Sequence, residues 1–196
     1  YPAWDMLPMD IYFKNSALLY SEESFFARRR LDVNGSFGCP FICRFCFHLG
    51  LIGDLHYEDP NKKDADVFFT HNRTFRWHSP QYLVTLAKHV NKKYGEDFLL
   101  FDDENLMALN LASGYKWLPE LCNLWIKEGL QPTCSRLGVR HDPATCSDGV
   151  HWGGTSHASL ARPEILALMR KAGCSQLLYG YESFSARVLS NVGKGA

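Results

Sequence analysis

Three closely spaced cysteines, Cys39, Cys43 and Cys46, are the residues in this sequence best suited to chemistry. They stand at the spacing C-x3-C-x2-C, and a short loop of this kind can direct three thiolate sulfurs at one point. Iron–sulfur clusters are held by cysteine thiolates. When each sulfur binds one iron of a four-iron cube, the fourth iron has no protein ligand. The spacing therefore predicts a cluster with one iron open to a reactant.

A structural zinc site is the alternative interpretation of the same cysteines, with His48 as the fourth ligand. Structural zinc is held by four Cys or His side chains. Such sites usually combine two short C-x2-C pairs, and none of the other cysteines forms one. We therefore favour an iron–sulfur cluster. A non-catalytic iron–sulfur or zinc module stays open as the alternative function.

The cysteine content indicates where the protein works. Seven cysteines, an odd and clustered set, favour a reducing compartment over a disulfide framework, and we expect a cytoplasmic protein. A looser Cys/His group has spacings that fit no tight chelating motif, so unligated thiols and surface histidines are favoured over a second metal site. This group comprises Cys134, His141, Cys146, His151 and His157.

Helical and strand patterns alternate along the chain. Apolar periodicity and capping residues predict helices that follow Ser79, include Leu118, begin near Pro163 and follow Ser185. Short apolar runs predict strands at 31–38, 97–101, 151–158 and 174–180. Residues 1–20 show no sustained period and are predicted to be extended, and 131–150 is predicted to be a strand start with a loop insertion. Alternating elements predict an α/β fold with a parallel sheet.

Polar groups follow three of the predicted strands directly. The cysteine loop follows the first strand, residues 102–105 follow the second, and residues 181–183 follow the fourth. Ligand sites in parallel sheets gather at the carboxyl ends of the strands, so we expect these groups to meet at one edge. The alternative interpretations are a solvated acidic loop at 102–104 and, for Glu182, a carboxylate placed at a helix N-terminus by the helix dipole.

Charge and hydropathy argue against two classes of partner. Lys plus Arg and Asp plus Glu both number 21, so nothing indicates binding to nucleic-acid phosphates. No apolar run approaches the roughly 18 residues that a membrane span needs.

The 196 residues suffice for one domain with a sizeable core. The start of the chain lacks an initiator Met and a signal-peptide pattern, which we interpret as a cut inside a longer protein.

The cysteine loop and several further stretches resemble the radical S-adenosylmethionine (SAM) enzymes. The three cysteines, with Phe45 before the last, resemble the cluster motif of that superfamily. Residues 38–46 are similar to the G-C-P-x-x-C-x-F-C loop of its cobalamin-binding branch. Further stretches that resemble this branch, in order along nearly the whole chain, are Trp4-Asp5-Met6-Leu7-Pro8, Phe101-Asp102-Asp103-Glu104-Asn105, Ala172-Gly173-Cys174, Gly180-Tyr181-Glu182-Ser183, Val188-Leu189 and Lys194-Gly195.

This resemblance implies a partial (β/α)6 barrel of the TIM type, truncated after about four strand–helix units. Residues 1–30 would form a lead-in segment and residues 31–196 the radical SAM core, which lacks about two units at its C-terminal end. The implied ligands of a [4Fe-4S] cluster are Cys39, Cys43 and Cys46. The residues implied to bind SAM are Phe45, Asp103, Glu104, Glu182 and Ser183.

The same resemblance implies the reaction and the partners. Reductive cleavage of SAM would give methionine and a 5'-deoxyadenosyl radical, which abstracts hydrogen from a small-molecule or peptide substrate. The electron would come from a donor such as flavodoxin or ferredoxin. Methyl transfer or cyclisation would be the outcome in the full-length protein, and a domain before Tyr1 would bind any cobalamin.

Overall fold

A parallel sheet forms the centre of the fold. The computed structural model describes residues 1–19, 29–41, 43–46, 55–57, 67–69, 75–142, 146 and 148–194. Four parallel strands stand in the order β1 (Arg30–Val33), β6 (Phe98–Phe101), β7 (His151–His157) and β8 (Cys174–Gly180). In register, Val33 pairs with Phe101, and Phe101 pairs with Gly154. The predicted α/β fold with a parallel sheet is confirmed.

Helices connect the strands of this sheet. The α-helices in the described ranges are α1 (Met9–Leu19), α2 (Pro80–Tyr94), α3 (Ala108–Ala112), α4 (Trp117–Lys127), α5 (Thr133–Leu137), α6 (Pro163–Lys171) and α7 (Ala186–Asn191). The Ser79 hydroxyl accepts a hydrogen bond from the Tyr82 amide, and Gly95 ends α2 in the left-handed region. Ser185 likewise caps α7 by accepting from the Val188 amide. The caps predicted from the sequence are therefore in place.

The core lies between the sheet and its helices. All four side chains of β6 are buried, as expected for a central strand covered on both faces. Two buried tryptophans complete the packing, and their indole N–H groups find backbone acceptors: Trp125 donates to the Val150 carbonyl and Trp152 to the Ala172 carbonyl. These two large side chains are thus buried without leaving their indole N–H groups unpaired.

Two short antiparallel pairs lie outside the main sheet. Ser36–Phe37 (β2) pairs with Arg76–Trp77 (β5), and Leu55–Tyr57 (β3) pairs with Val67–Phe69 (β4). The first pair corrects the prediction of one strand over 31–38. The strand ends at Val33 because the Asp103 carboxylate accepts hydrogen bonds from Gly35 and Ser36 and draws them out of the parallel ladder.

Two further predictions were wrong. Residues 9–19 form a helix, where an extended segment was predicted for residues 1–20. Among residues 9–15, whose burial the structure describes, the buried side chains are Met9 and Phe13, one turn apart, and this apolar stripe is too short to give a sustained period. Within 131–150 the described residues include the helix α5, and the strand begins only at His151. None of the helices in the described ranges has the length and apolar character needed to cross a membrane.

Candidate functional site

A cleft of about 340 Å³ opens at the carboxyl edge of the parallel sheet. Its walls come from the cysteine loop after β1, the segment after β6, the ends of β7 and β8, and residues near α7. The side chains that concern its chemistry are Cys39, Phe41, Cys43, Phe45, Cys46, Glu104, Asn105, Ser156, His157, Glu182 and Lys194. The structure thus brings the three predicted polar groups together at one edge.

The cysteine loop is fixed by contacts to α7. The Arg44 amide donates to the Val192 carbonyl at 2.9 Å, and the Arg44 guanidinium donates to the Asn191 carbonyl at 3.2 Å. The positive charge of Arg44 is favourable at the C-terminal end of the helix, where the last backbone carbonyls have no hydrogen-bond partner within the helix. The Cys46 amide also donates to the Cys43 carbonyl at 3.0 Å, which closes a turn. The loop is therefore held by its backbone, and its thiols are left to face the cleft.

The three thiols are free and half-buried. Burial raises the pKa of Cys39, and hydrogen bonds from the Phe41 backbone and Asn105 oppose this only in part. Burial also raises the pKa of Cys43, against the opposing charge of Lys194. The Asn105 amide lies 3.9 Å from the Cys39 sulfur. Cys39 and Cys43 are therefore protonated at neutral pH, and a bound metal centre would displace their protons.

Two neighbouring acidic residues after β6 have different surroundings. The carboxylate of Asp103 is buried and accepts hydrogen bonds from the Gly35 amide at 2.9 Å and from the Ser36 hydroxyl. Burial raises its pKa to about 6, and those hydrogen bonds only partly oppose the shift. Glu104 faces the cleft and accepts from the Gly38 amide at 3.1 Å. Asp103 therefore holds the turn after β1, and Glu104 is the acid that a ligand would meet.

An ion pair closes the opposite wall. Glu182 lies 2.8 Å from the Lys194 ammonium, and both line the cleft. Glu182 has a φ of 56°, an uncommon conformation for a residue other than glycine. A Cβ atom at Gly180 would lie 2.6 Å from the Glu182 carboxylate and 2.8 Å from the Lys194 ammonium, so a side chain there would displace the ends of both partners. Lys194 also lies 5.7 Å from the ring centre of Phe45.

The remaining predicted residues differ in their placement. Phe45 lines the cleft with about half of its surface exposed. The hydroxyl of Ser183 accepts from the Ser185 amide at 3.1 Å at the start of α7, and Ser183 is not among the residues that line the cleft.

Sequence reasoning missed a histidine and a lysine of the cleft. His157 ends β7 and stacks on Phe41 at 4.4 Å between ring centres, and its Nδ1 accepts from the Ser159 amide. Within the described residues its buried Nε2 has no hydrogen-bond partner. Burial lowers the pKa of His157, as does the charge of Lys194. His157 stands at the carboxyl end of a predicted strand, and that position is the sequence signal that could have placed it in the cleft.

A second group of potential ligands lies at the amino edge of the sheet. Cys134, His141, Cys146 and His151 place one ligand atom each within 4.8 Å of all the others. His157, the fifth member of the loose Cys/His group, lies instead in the cleft. Burial raises the pKa of Cys134 to about 11 and lowers that of His151 to about 4. We call these four residues the 134–151 cluster.

Comparison with known proteins gives a distant relative. No protein-family model matches the sequence. The chain is similar to an uncharacterized methyltransferase of Pyrococcus horikoshii, with 24% identity over 195 residues. The match covers 99% of this chain and 31% of that protein, so the chain spans about a third of its relative's length.

Proposed function

We propose that this chain is the cluster- and SAM-binding part of a radical SAM enzyme. The observation that carries the proposal is the meeting of Cys39, Cys43 and Cys46 with Glu104 and Glu182 in one cleft at the carboxyl edge of a parallel sheet. That edge is where α/β folds place their ligands. Three thiols and two carboxylates suit a metal cluster together with an amino-acid-like ligand.

The sheet fits the start of a (β/α)6 barrel. The parallel strands stand in chain order, β1-β6-β7-β8, with helices between them. In the described residues β8 pairs with β7 alone, and Leu178 on β8 is 45% exposed. An unpaired edge with apolar side chains suits continuation of the sheet. We propose that the full-length protein adds further strands beside β8.

The residues of the cleft fit a cluster better than a single metal ion. A cube of four irons takes its three thiolates on three different irons, so their sulfurs stand farther apart than ligands of one ion. Among the described residues, the Cys/His set whose ligand atoms approach within 4.8 Å of one another is the 134–151 cluster and not the cysteine loop. His48, the fourth ligand of the zinc alternative, lies outside the described residues.

The cysteines, Glu104 and Phe45 each have a role in this proposal. Cys39, Cys43 and Cys46 would hold the [4Fe-4S] cluster. When bound, the cluster supplies an electron to SAM, whose carbon–sulfur bond breaks to give methionine and a 5'-deoxyadenosyl radical. Glu104 would accept hydrogen bonds from the SAM amino group, since a carboxylate suits a charged donor. Phe45, half-exposed at the rim, would cover the adenine.

The opposite wall orients the ligand. Glu182, held by Lys194 at 2.8 Å, would accept hydrogen bonds from the SAM ribose hydroxyls. Phe41 and His157, stacked face to face, would exclude water from one side. The name of the Pyrococcus relative, a methyltransferase, supports the use of SAM. Cobalamin, if the full-length protein uses it, would be bound outside this chain.

Anaerobic reconstitution with iron and sulfide tests the proposal. We expect a brown protein, a paramagnetic signal after reduction that changes when SAM is added, and formation of 5'-deoxyadenosine detected by mass spectrometry. Cys43→Ala removes one of three protein ligands and should abolish the cluster signal and the product, since iron–sulfur clusters are held by cysteine thiolates.

Cys174→Ala is the matched control, because it removes a thiol on β8 that does not line the cleft. It should retain the cluster and the product. A colourless protein that binds zinc through the cysteine loop, or a cluster whose signal ignores SAM, would instead support the non-catalytic binding module.

A further inference from the structure

The 134–151 cluster converges from four separate points of the chain. Cys134 lies in the first turn of α5, His141 and Cys146 lie in the loop after it, and His151 begins β7. Three of the four are buried, and His141 is half-buried. We propose that these residues bind one structural zinc ion.

The distances between the ligand atoms match a tetrahedral zinc site. The Cys134 sulfur lies 3.6 Å from His141 Nδ1 and 3.7 Å from His151 Nε2, and the Cys146 sulfur lies 3.8 Å from His151 Nε2. Zinc bonds of about 2.3 Å to sulfur and about 2.0–2.1 Å to nitrogen, at tetrahedral angles, separate sulfur and nitrogen by about 3.6 Å. These three sulfur–nitrogen distances therefore fit ligands of one zinc ion without rearrangement.

Hydrogen bonding among the four groups leaves one of their close sulfur–nitrogen contacts unused. Nε2 of His151 faces both cysteine sulfurs at similar distances. A neutral imidazole nitrogen that accepts has a single lone pair, so it can take a proton from only one of the two thiols. A cation at the centre would instead contact all four ligand atoms at once, which lie within 4.8 Å of one another.

Charge balance also favours a divalent ion. Two thiolates and two neutral imidazoles carry a charge of about −2, which one Zn²⁺ cancels. A neutral site suits buried surroundings, where an uncompensated charge is costly. On binding, the two thiols release their protons to solvent. The Cys134 amide, 3.3 Å from the Cys146 sulfur, would donate to the resulting thiolate.

The location indicates a structural role. His151 begins β7 and His157 ends it, so the 134–151 cluster and the cleft lie at opposite edges of the sheet, about 20 Å apart at about 3.3 Å per residue. Four protein ligands leave no open position for a reactant. The Asp148 carboxylate accepts from the Thr133 amide at 2.9 Å and lies 2.8 Å from the Arg136 guanidinium, which closes the same loop from outside.

Metal titration of a variant that lacks the cleft thiols tests the site. In C39S/C43S/C46S the cysteine loop no longer competes for metal, so the outcome is independent of the proposed SAM chemistry. We expect one Co²⁺ per chain, with the visible bands of tetrahedral cobalt and thiolate charge-transfer bands, displaced by one Zn²⁺. Because the metal would bind the folded chain, saturating zinc should also raise the melting temperature.

Single variants in that background locate the metal. Cys146→Ser and His141→Asn should each weaken zinc binding by at least about 100-fold, since even changes around the ligands cost about 10–100-fold. His157→Asn, a histidine change in the cleft, should leave zinc affinity unchanged. Circular dichroism of each metal-free variant checks that the fold survives.

Cysteine alkylation of the unmodified sequence gives a readout that needs no ligand variant. Zinc should protect Cys134 and Cys146 from alkylation, and a chelator should remove that protection while leaving Cys122 and Cys174 unaffected. The proposal is wrong if the cobalt spectrum is not tetrahedral. It is equally wrong if Cys134 and Cys146 are alkylated at the same rate with and without zinc, or if those two cysteines are found in a disulfide.

Discussion

Glu96 is the residue whose surroundings conflict most with its chemistry. It is fully buried before β6, and within the described residues neither carboxylate oxygen has a hydrogen-bond partner. Burial raises its pKa well above the ordinary value and the Asp97 carboxylate adds to this, while the nearby Phe98 amide, which makes no hydrogen bond to the carboxylate, opposes the shift only in part. A carboxyl that is buried in this way stays protonated in the folded protein over a wider pH range than in the unfolded chain.

Glu96→Gln should stabilise the protein at neutral pH. A raised folded-state pKa means that the carboxyl favours folding below about pH 4.5 and loses this contribution as the pH rises. Glutamine carries no charge at any pH, so we expect the free energy of unfolding at pH 7 to rise. Urea denaturation at pH 7 and pH 4 measures the difference, which should shrink at the lower pH.

Glu120→Gln is the matched control for this change, because Glu120 is exposed on α4. Its free energy of unfolding should stay within about 0.5 kcal/mol of the wild-type value. Destabilisation of Glu96→Gln at pH 7 would mean that the Glu96 carboxylate has a favourable partner in the folded protein.

At the scale of elements, the approach to β7 depends on a close backbone contact. The Val150 amide donates to the Leu130 carbonyl at 2.9 Å, which brings the segment before β7 against the segment after α4. Gly149 has a φ of 71°, and a Cβ atom there would lie 2.7 Å from the Pro132 backbone. Gly129 has nearly the same φ of 74°, with nothing within 4 Å of a Cβ.

Alanine at these two glycines should separate conformational strain from crowding. Gly129→Ala should lower the free energy of unfolding by about 1–2 kcal/mol, because the left-handed conformation is unfavourable for a residue with a Cβ atom. Gly149→Ala should cost about 1–3 kcal/mol more, because the backbone of Pro132 must also move. Chemical denaturation of both variants measures the difference. Equal costs would show that the contact between 149 and 132 relaxes freely.

At the scale of the whole molecule, the parallel sheet separates two kinds of site. The cleft lies at the carboxyl edge and the 134–151 cluster at the amino edge, joined by the length of β7. The carboxyl edge is held by a buried carboxylate, Asp103, whose hydrogen bonds fix the turn that leads into the cysteine loop. The ionisation of Asp103 should therefore affect both the stability of the fold and the geometry of the cleft.

The stability of the molecule should fall as the pH rises from about 4 to about 6. Asp103 has its pKa raised to about 6 from 3.8, so the folded state binds its proton more tightly than the unfolded state in this window. The contribution lost is about 3 kcal/mol. Urea denaturation across this range measures it, in the Glu96→Gln background so that the slope reports on Asp103.

A carbon NMR titration of the Asp103 carboxyl should show a midpoint near pH 6. Asp103→Asn should lower the free energy of unfolding, because the NH2 group of asparagine would face the Gly35 amide or the Ser36 hydroxyl, both of which donate to the carboxylate. The variant should also flatten the dependence of stability on pH. An unchanged slope in that variant would assign the pH dependence to another group.

The sequence by itself determined the order of the elements. The strands β6, β7 and β8 and the helices α2, α4, α6 and α7 are all predicted from short-range patterns, because burial of one face imposes a period that neighbouring residues show. The caps at Ser79 and Ser185 are local as well. The cysteine spacing and the polar groups after the strands also indicated which edge of the sheet holds the cleft.

Only the tertiary structure decided how the side chains are distributed. Asp103 and Glu104 are adjacent, yet one holds a turn and the other faces the cleft, since the direction of each depends on residues some 66 to 68 positions away. The 134–151 cluster has no short chelating motif, because its ligands meet through the fold of a loop against β7. Periodicity records which residues are buried, whereas contact between distant segments decides which groups meet.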